Sequence, residues 1–335
     1  MSNPDRCETG PWAGGEGAIH RITAAMPGPK ALVLGAVHGD EICGPAAITR
    51  VVEEIKSGAL PIRAGAVTFV PAVNPAAFKA GRRFIDNDLN RDMRTRPNPA
   101  SNEEAIANEL LALMPGHDVL LDIHSYRFDG PPFIFVGPEN NAGAIEPFSQ
   151  ADAELRYAAS FGLDACVFGW FSAYHAFVQR QHQLLDALGD GPGLAPRAET
   201  SLGCGVTENF RRLGGYGVTI ECGHHQSPNA IPTAYAAIRN MLAYLGLSEG
   251  ESKLEPFRHC YRLSQVLLKH DSGDAFARDW KLFDRVKRGD MLAARANGEP
   301  ITAANNGAVI FTYPNALAGG AWLYLGEDHP RGLSV

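Results

Sequence analysis

A histidine and a glutamate stand three residues apart in the run His38-Gly39-Asp40-Glu41, directly after the apolar stretch Ala31–Val37. On a turn leaving a buried segment, an imidazole and a carboxylate at that spacing can converge on one cation. A second histidine, His124, closes another apolar run, Leu121-Asp122-Ile123-His124-Ser125. Two imidazoles and one carboxylate are a ligand set used by hydrolytic zinc, which keeps a fourth position open for water. Zinc at such a site brings the pKa of its water to roughly 7 and polarises a carbonyl. Asp122 precedes His124 by two positions and so lies on the same face of a strand, where it can fix the tautomer of a ligand imidazole. An isolated His-x-x-Glu is common by chance, and a lone histidine at a strand end is ordinarily a hydrogen-bonded loop residue. The weight rests on the two occurring together, each after a buried run.

Two further groups carry chemistry. Residues 81–91 read GRRFIDNDLNR, a dense polar segment without helical or strand periodicity. As a plain loop it is solvated. As a functional loop it offers arginine forks matched to a carboxylate anion. Glu221 ends the apolar run Val218-Thr219-Ile220, where a carboxylate is costly unless it is paired or used. It is either a salt-bridged strand end or a proton-transfer group beside a metal. His224 and His225 follow it and fit loop histidines better than supports of a metal ligand.

These residues need a scaffold. Ala31–Val37, Ala66–Val73, Val119–Ile123 and Gly217–Ile220 are short continuous apolar runs, expected as buried strands, with Pro132–Val136 and Ala165–Phe168 as further candidates. Helical spacing appears in Pro45–Lys56, Asn102–Met114 and Ala230–Leu245. Strands alternating with helices predict an α/β fold whose mainly parallel or mixed sheet is flanked by helices. Ligands gather at the carboxyl ends of such strands, where His38, Glu41, Asn74, His124 and Glu221 all fall. Residues 1–17 are polar and glycine-rich and are expected to form a loose arm. After about residue 250 the segments shorten and the turns multiply, as in Asn305-Asn306-Gly307, with strands expected at 309–313 and 321–326. The domains are therefore drawn as 1–250, α/β and catalytic, and 251–335, small and β-rich. The aromatic residues Phe168, Trp170, Phe171, Tyr174 and Phe177 fit a packed core better than a pocket wall, although as a wall they would favour a bulky acyl group.

Composition narrows the classes. The chain has 335 residues, is 45% hydrophobic and 20% charged, and carries a formal net charge of -7. That supports a sizeable core and disfavours nucleic-acid or anionic-membrane partners. Six cysteines are scattered without a CxxC pair, which fits free thiols in a reducing compartment. No signal-like N-terminus or apolar span of about 20 residues is present, so a cytoplasmic protein is expected.

The ordered set His38-Gly39-Asp40-Glu41, Asn74-Pro75, Arg83 to Arg91, Asp122-Ile123-His124-Ser125 and Ile220-Glu221-Cys222-Gly223 resembles the succinylglutamate desuccinylase/aspartoacylase family, a branch of the zinc carboxypeptidase superfamily. The resemblance spans residues 38 to 223, and the β-rich tail is also similar to that family's C-terminal domain. It implies one zinc ion per chain held by His38, Glu41 and His124, with Glu221 as general base and later general acid. It implies that Arg83 binds substrate or polarises the scissile carbonyl, and that Asn90 and Arg91 grip the substrate's α-carboxylate. An arginine about ten residues before the catalytic glutamate also belongs to the pattern; Arg211 fits it, and counting does not separate it from Arg212. The implied reaction is amide hydrolysis of a small-molecule N-acyl amino acid. A metallocarboxypeptidase or small-peptide amidase would share the zinc site, and a non-catalytic protein binding a metal or an acyl amino acid is the reading from another class. The sequence leaves the acyl group unassigned and leaves room for a homo-oligomer.

Overall fold

The computed structural model describes residues 6–189, 193–199 and 203–332. Up to residue 164 the elements are β1 (Arg6–Trp12), β2 (Gly17–Thr23), β3 (Met26–Gly35), α1 (Cys43–Lys56), β4 (Ala64–Val70), α2 (Pro75–Ala80), α3 (Asn102–Leu113), β5 (Val119–Tyr126), β6 (Phe133–Phe135) and α4 (Ala151–Ala159). Then follow β7 (Ala165–Phe168), α5 (Trp170–Leu188), α6 (Val206–Arg212), β8 (Tyr216–His224) and α7 (Ala230–Tyr244). The remainder is β9 (His259–Leu268), β10 (Ala275–Phe276), β11 (Arg285–Val286), β12 (Met291–Ala294), β13 (Pro300–Thr302), β14 (Gly307–Thr312) and β15 (Ala321–Asp328).

The chain divides into two compact units. The first takes the described residues up to Asp164 and those from Cys204 to Phe257; the second takes those between Ala165 and Gly203 and from Arg258 onward. Residues 165–203, which a linear reading leaves in the α/β domain, thus group with the C-terminal strands.

In the first unit the strand order is β1-β2-β4-β3-β5-β8-β6. Strands β4, β3, β5 and β8 run parallel to their neighbours, while β1, β2 and β6 pair antiparallel at the two sides. From Arg6 on, the expected loose arm over 1–17 is instead this antiparallel ribbon of β1 and β2; residues 1–5 lie outside the described residues. Trp12, Ile19 and Ile22 of the ribbon are buried, which glycine-rich composition concealed. Successive side chains of a strand face opposite sides, and Ala31, Leu32, Val33 and Leu34 are all fully buried, so both faces of β3 are covered. Leu32, Leu34, Val70 and Leu120 pack against Ile106 and Leu110 of α3 and Val206 and Phe210 of α6. Helix α1 buries Ile48, Val51, Val52 and Ile55 and packs on α7 and on β3 and β5.

The second unit holds β7 parallel to β9, followed by β15, β14 and β11 in antiparallel order, and a separate three-stranded sheet β10-β12-β13. Leu267, Trp280, Leu292, Val309 and Leu323 form its core. Phe171, Tyr174 and Phe177 lie buried on α5, with the Tyr174 and Tyr324 hydroxyls 2.5 Å apart. Among the described residues, no helix is long and apolar enough to cross a membrane.

The turn after β3 is closely packed. Ala36 adopts φ 43°, a left-handed conformation unusual for a residue with a Cβ, and its carbonyl accepts the Asn74 N–H at 3.0 Å. Gly39 lies against α2 so closely that a Cβ there would stand 2.1 Å from the Ala77 carbonyl carbon and 2.3 Å from the Phe78 nitrogen. A Gly39→Ala substitution must therefore move backbone, and a thermal melt should show a loss of about 1–3 kcal/mol. An unchanged melting temperature would mean that α2 yields without cost.

Candidate metal centre and active site

The end of β3 and the end of β5 bring His38, Glu41 and His124 together, and all three side chains are buried. One nitrogen or oxygen from each lies within 4.8 Å of the others. Glu41 sits between the rings: its Oε1 is 2.8 Å from His38 Nδ1 and its Oε2 is 2.9 Å from His124 Nδ1. The Ser125 N–H donates to Glu41 Oε2 at 3.0 Å. The outward nitrogens also meet carboxylates. His38 Nε2 is 3.1 Å from Asp88 Oδ1, and His124 Nε2 is 2.9 Å from Asp122 Oδ2. Each Nε2 thus faces a carboxylate on the outer side of its ring, and each Nδ1 is the nitrogen turned inward toward Glu41, where an ion would bind.

The charges are strongly coupled. Burial pushes the Glu41 carboxyl upward, but His38 and His124 outweigh it and hold Glu41 well below the usual carboxylate range. Burial disfavours a charged His124, yet Asp122 and Glu41 raise it well above an ordinary histidine. Asp88 is likewise held well down, against burial, by His38, Arg91 and Arg83. The donor set, its burial and its two aspartate supports fit a divalent ion of the zinc type.

Glu221 lies directly beside His124, since the two are register partners on the parallel strands β5 and β8. Its Oε2 is shielded from solvent and has no hydrogen-bond partner. Burial pushes this carboxyl up to about 8; Glu41 and Cys43 add to the rise, and His124 and Arg83 oppose it. Arg83 faces the same centre, donating from Nε to Asp88 Oδ2 at 3.0 Å and reaching Glu41 Oε1 at 3.5 Å.

Residues 27–131 match the family described as the succinylglutamate desuccinylase/aspartoacylase catalytic domain. That match lies within the first unit and takes in His38, Glu41, Arg83 and His124. It is 26% identical over 231 residues to the N-alpha-acetyl-L-2,4-diaminobutyric acid deacetylase of Halomonas elongata, an alignment covering 67% of this chain and 57% of that protein. It is 41% identical over 75 residues to the succinylglutamate desuccinylase of Burkholderia thailandensis, covering 22% of this chain and 21% of the relative. The chain thus spans little more than half the length, at most, of these two curated relatives. Its fold is similar to the product-bound ectoine utilization protein EutE (DoeB) from Ruegeria pomeroyi, with TM-score 0.65, 24% identity and coverage of 92% and 88% of the two chains. It is also similar to a succinylglutamate desuccinylase/aspartoacylase from Rhodobacter sphaeroides, with TM-score 0.68, 17% identity and coverage of 97% and 95%. At these identities the structural likeness speaks for the fold alone.

The remaining expected site residues divide. Arg91 lies near enough to Asp88 to lower its carboxyl, and donates from Nη1 to the Asn90 carbonyl at 3.0 Å. Asn90 accepts the Val206 N–H on its Oδ1 at 2.8 Å and so anchors the start of α6. Arg211 does not join them. Its guanidinium is buried, donating to Glu154 Oε2 at 2.8 Å, Glu146 Oε1 at 3.2 Å and the Gly217 carbonyl at 2.9 Å. Arg211, expected to contact substrate, is surrounded here by three carboxylates, Glu208 being the third, at 3.8 Å. Arg212, the alternative, is exposed, with Nη1 against Cys204 Sγ.

Two supports escaped the sequence reading. Asp88 was visible as one polar residue among many, but its tie to His38 spans 50 positions. Glu103 is fully buried and accepts from the N–H groups of Ile85, Asp86 and Asn87 and from the side chains of Asn74 and Asn102. It thereby shapes the loop that carries Arg83 and Asp88. An acidic residue in a helix's first turn is routine, so sequence offered no signal.

Two outcomes follow. Because Asp122 and Glu41 raise the His124 pKa in the ion-free centre, ion binding should release protons and weaken as pH falls. Calorimetry in buffers of different ionisation enthalpy measures this, and binding without proton release would contradict the arrangement. Replacing Arg211 by Met should cost about 3–5 kcal/mol in denaturant unfolding, as expected when a buried ion pair loses one partner. A stable variant with a raised KM would return Arg211 to the substrate.

Proposed function

We propose that this chain is a zinc-dependent hydrolase that cleaves the amide bond of a small N-acyl amino acid, with one catalytic zinc per chain. The observation that carries the reading is Glu221: a buried carboxylate with an unpartnered oxygen, in register with His124 at the edge of a His-Glu-His centre. A shielded carboxylate oxygen left without a partner has a cost that proton transfer explains. The names of the relatives, a deacetylase of an N-acetylated amino acid and a desuccinylase, support the same class.

His38, Glu41 and His124 would hold the ion, and Asp88 and Asp122 would hold the two rings. When bound, zinc supplies Lewis acidity, lowering the pKa of water to roughly 7 and polarising the scissile carbonyl. Glu221 takes a proton from the attacking water as its oxygen bonds to the carbonyl carbon. Arg83 presents a positive group to the oxygen on which charge develops, where preorganised charge counts most. Glu221 then delivers the proton to the leaving nitrogen as the C–N bond breaks. Arg91 and the amide nitrogen of Asn90 hold the substrate carboxylate, turning binding energy into orientation.

Glu221→Gln should retain the metal and lose turnover by ~100-fold or more. The panel that reads it contains N-acetyl, N-succinyl and N-aroyl amino acids alongside short peptides. Turnover of peptides alone would make the chain a peptidase instead. A mild loss in Glu221→Gln would leave the glutamate a structural residue.

A further inference from the structure

We propose that Asp40, Glu41 and His225 form a second, weaker divalent-cation site beside the first, with Glu41 as the shared carboxylate. One ligating atom from each of the three lies within 4.8 Å of the others. Just past β8, the His225 ring is fixed at two points: its Nδ1 is 2.8 Å from Ser125 Oγ, and its backbone N–H donates to the Tyr126 carbonyl at 2.8 Å. With Nδ1–H donating to the Ser125 hydroxyl, the Nε2 lone pair is available to a cation. That Nε2 is shielded from solvent and has no hydrogen-bond partner, and the same holds for Asp40 Oδ1. Leaving a buried polar atom unsatisfied is costly. Here two such atoms belong to side chains whose nearest oxygen and nitrogen are 3.9 Å apart, with Glu41 completing the group.

The chemistry of the set, one imidazole and two carboxylates, suits Zn2+, Co2+ or Mn2+. A carboxylate bridging two ions is consistent with the ~3.5–4 Å spacing of two-metal centres. The second site is the weaker because Arg127 competes for it, donating to Asp40 Oδ2 from Nη2 at 2.6 Å and from Nε at 3.2 Å. Arg127 is exposed and can swing aside at little cost. The proposal rests on the reading of the first site through Glu41, and the experiment separates the two.

The full-length chain is stripped with a chelator and dialysed against graded Co2+ or Zn2+, and metal per chain is counted by atomic emission. Two ions per chain are expected, in two affinity classes. His225→Ala and Asp40→Asn should each weaken the second class by more than about tenfold, a change of about 1.4 kcal/mol, and leave the first. Arg127→Ala should tighten the second class by removing the competing charge. With Co2+, filling the second class should reduce the paramagnetic resonance signal per ion, since ions sharing a carboxylate couple. Saturation at one ion per chain at millimolar metal overturns this proposal and leaves the first site standing. Two ions per chain unaffected in both His225→Ala and Asp40→Asn overturns it as well. A chain that binds no ion overturns both readings.

Discussion

A buried carboxylate between two imidazoles is the constraint on which the rest of the first unit depends. Glu41 bonds both rings and the Ser125 N–H, so two parts of the chain must arrive at one point: the turn after β3, with His38 and Glu41, and the end of β5, with His124 and Ser125. The parallel pairing of β3 with β5, and of β5 with β8, delivers them there without long loops. Charges in such a place are stable only when each has a partner. Asp88 and Asp122 complete the pairing from outside, and Glu221 stands as the carboxylate left out of it.

Much of this scaffold was legible because its strands are buried on both faces. The centres of β3, β5 and β8 are continuous apolar runs that no other element explains. The exposed start of β3, from Met26 to Lys30, carries no such signal and is strand only because its backbone continues along β4. The ribbon of β1 and β2 escaped for the same reason, since glycines and polar residues outnumber its few inward side chains. The short strands β10 to β13 are two to four residues long, too short for any periodicity to register.

The site was legible where a residue type and a strand end coincide, as at His38, His124 and Glu221. It was illegible where direction about a helix decides. Arg211 and Arg212 are adjacent on α6, yet one turns into the carboxylates of Glu146, Glu154 and Glu208 and the other into solvent. Spacing along the chain fixes how far a residue is from Glu221, not which way it points. Asn90 is a related case, because its Oδ1 bond to Val206 ties the polar loop to a helix that sequence alone leaves unassigned.

Glu103 has one more implication. It binds the loop at three consecutive amide hydrogens, those of Ile85, Asp86 and Asn87, and at none of their side chains. The path of that loop is thus set mainly through its backbone, with the Asp86 and Asn87 side chains adding ties to Asn102 and Ser101 at the start of α3. A change at Ile85 leaves all three bonds to Glu103 in place, whereas loss of the single acid beneath them frees the whole stretch that carries Arg83 and Asp88.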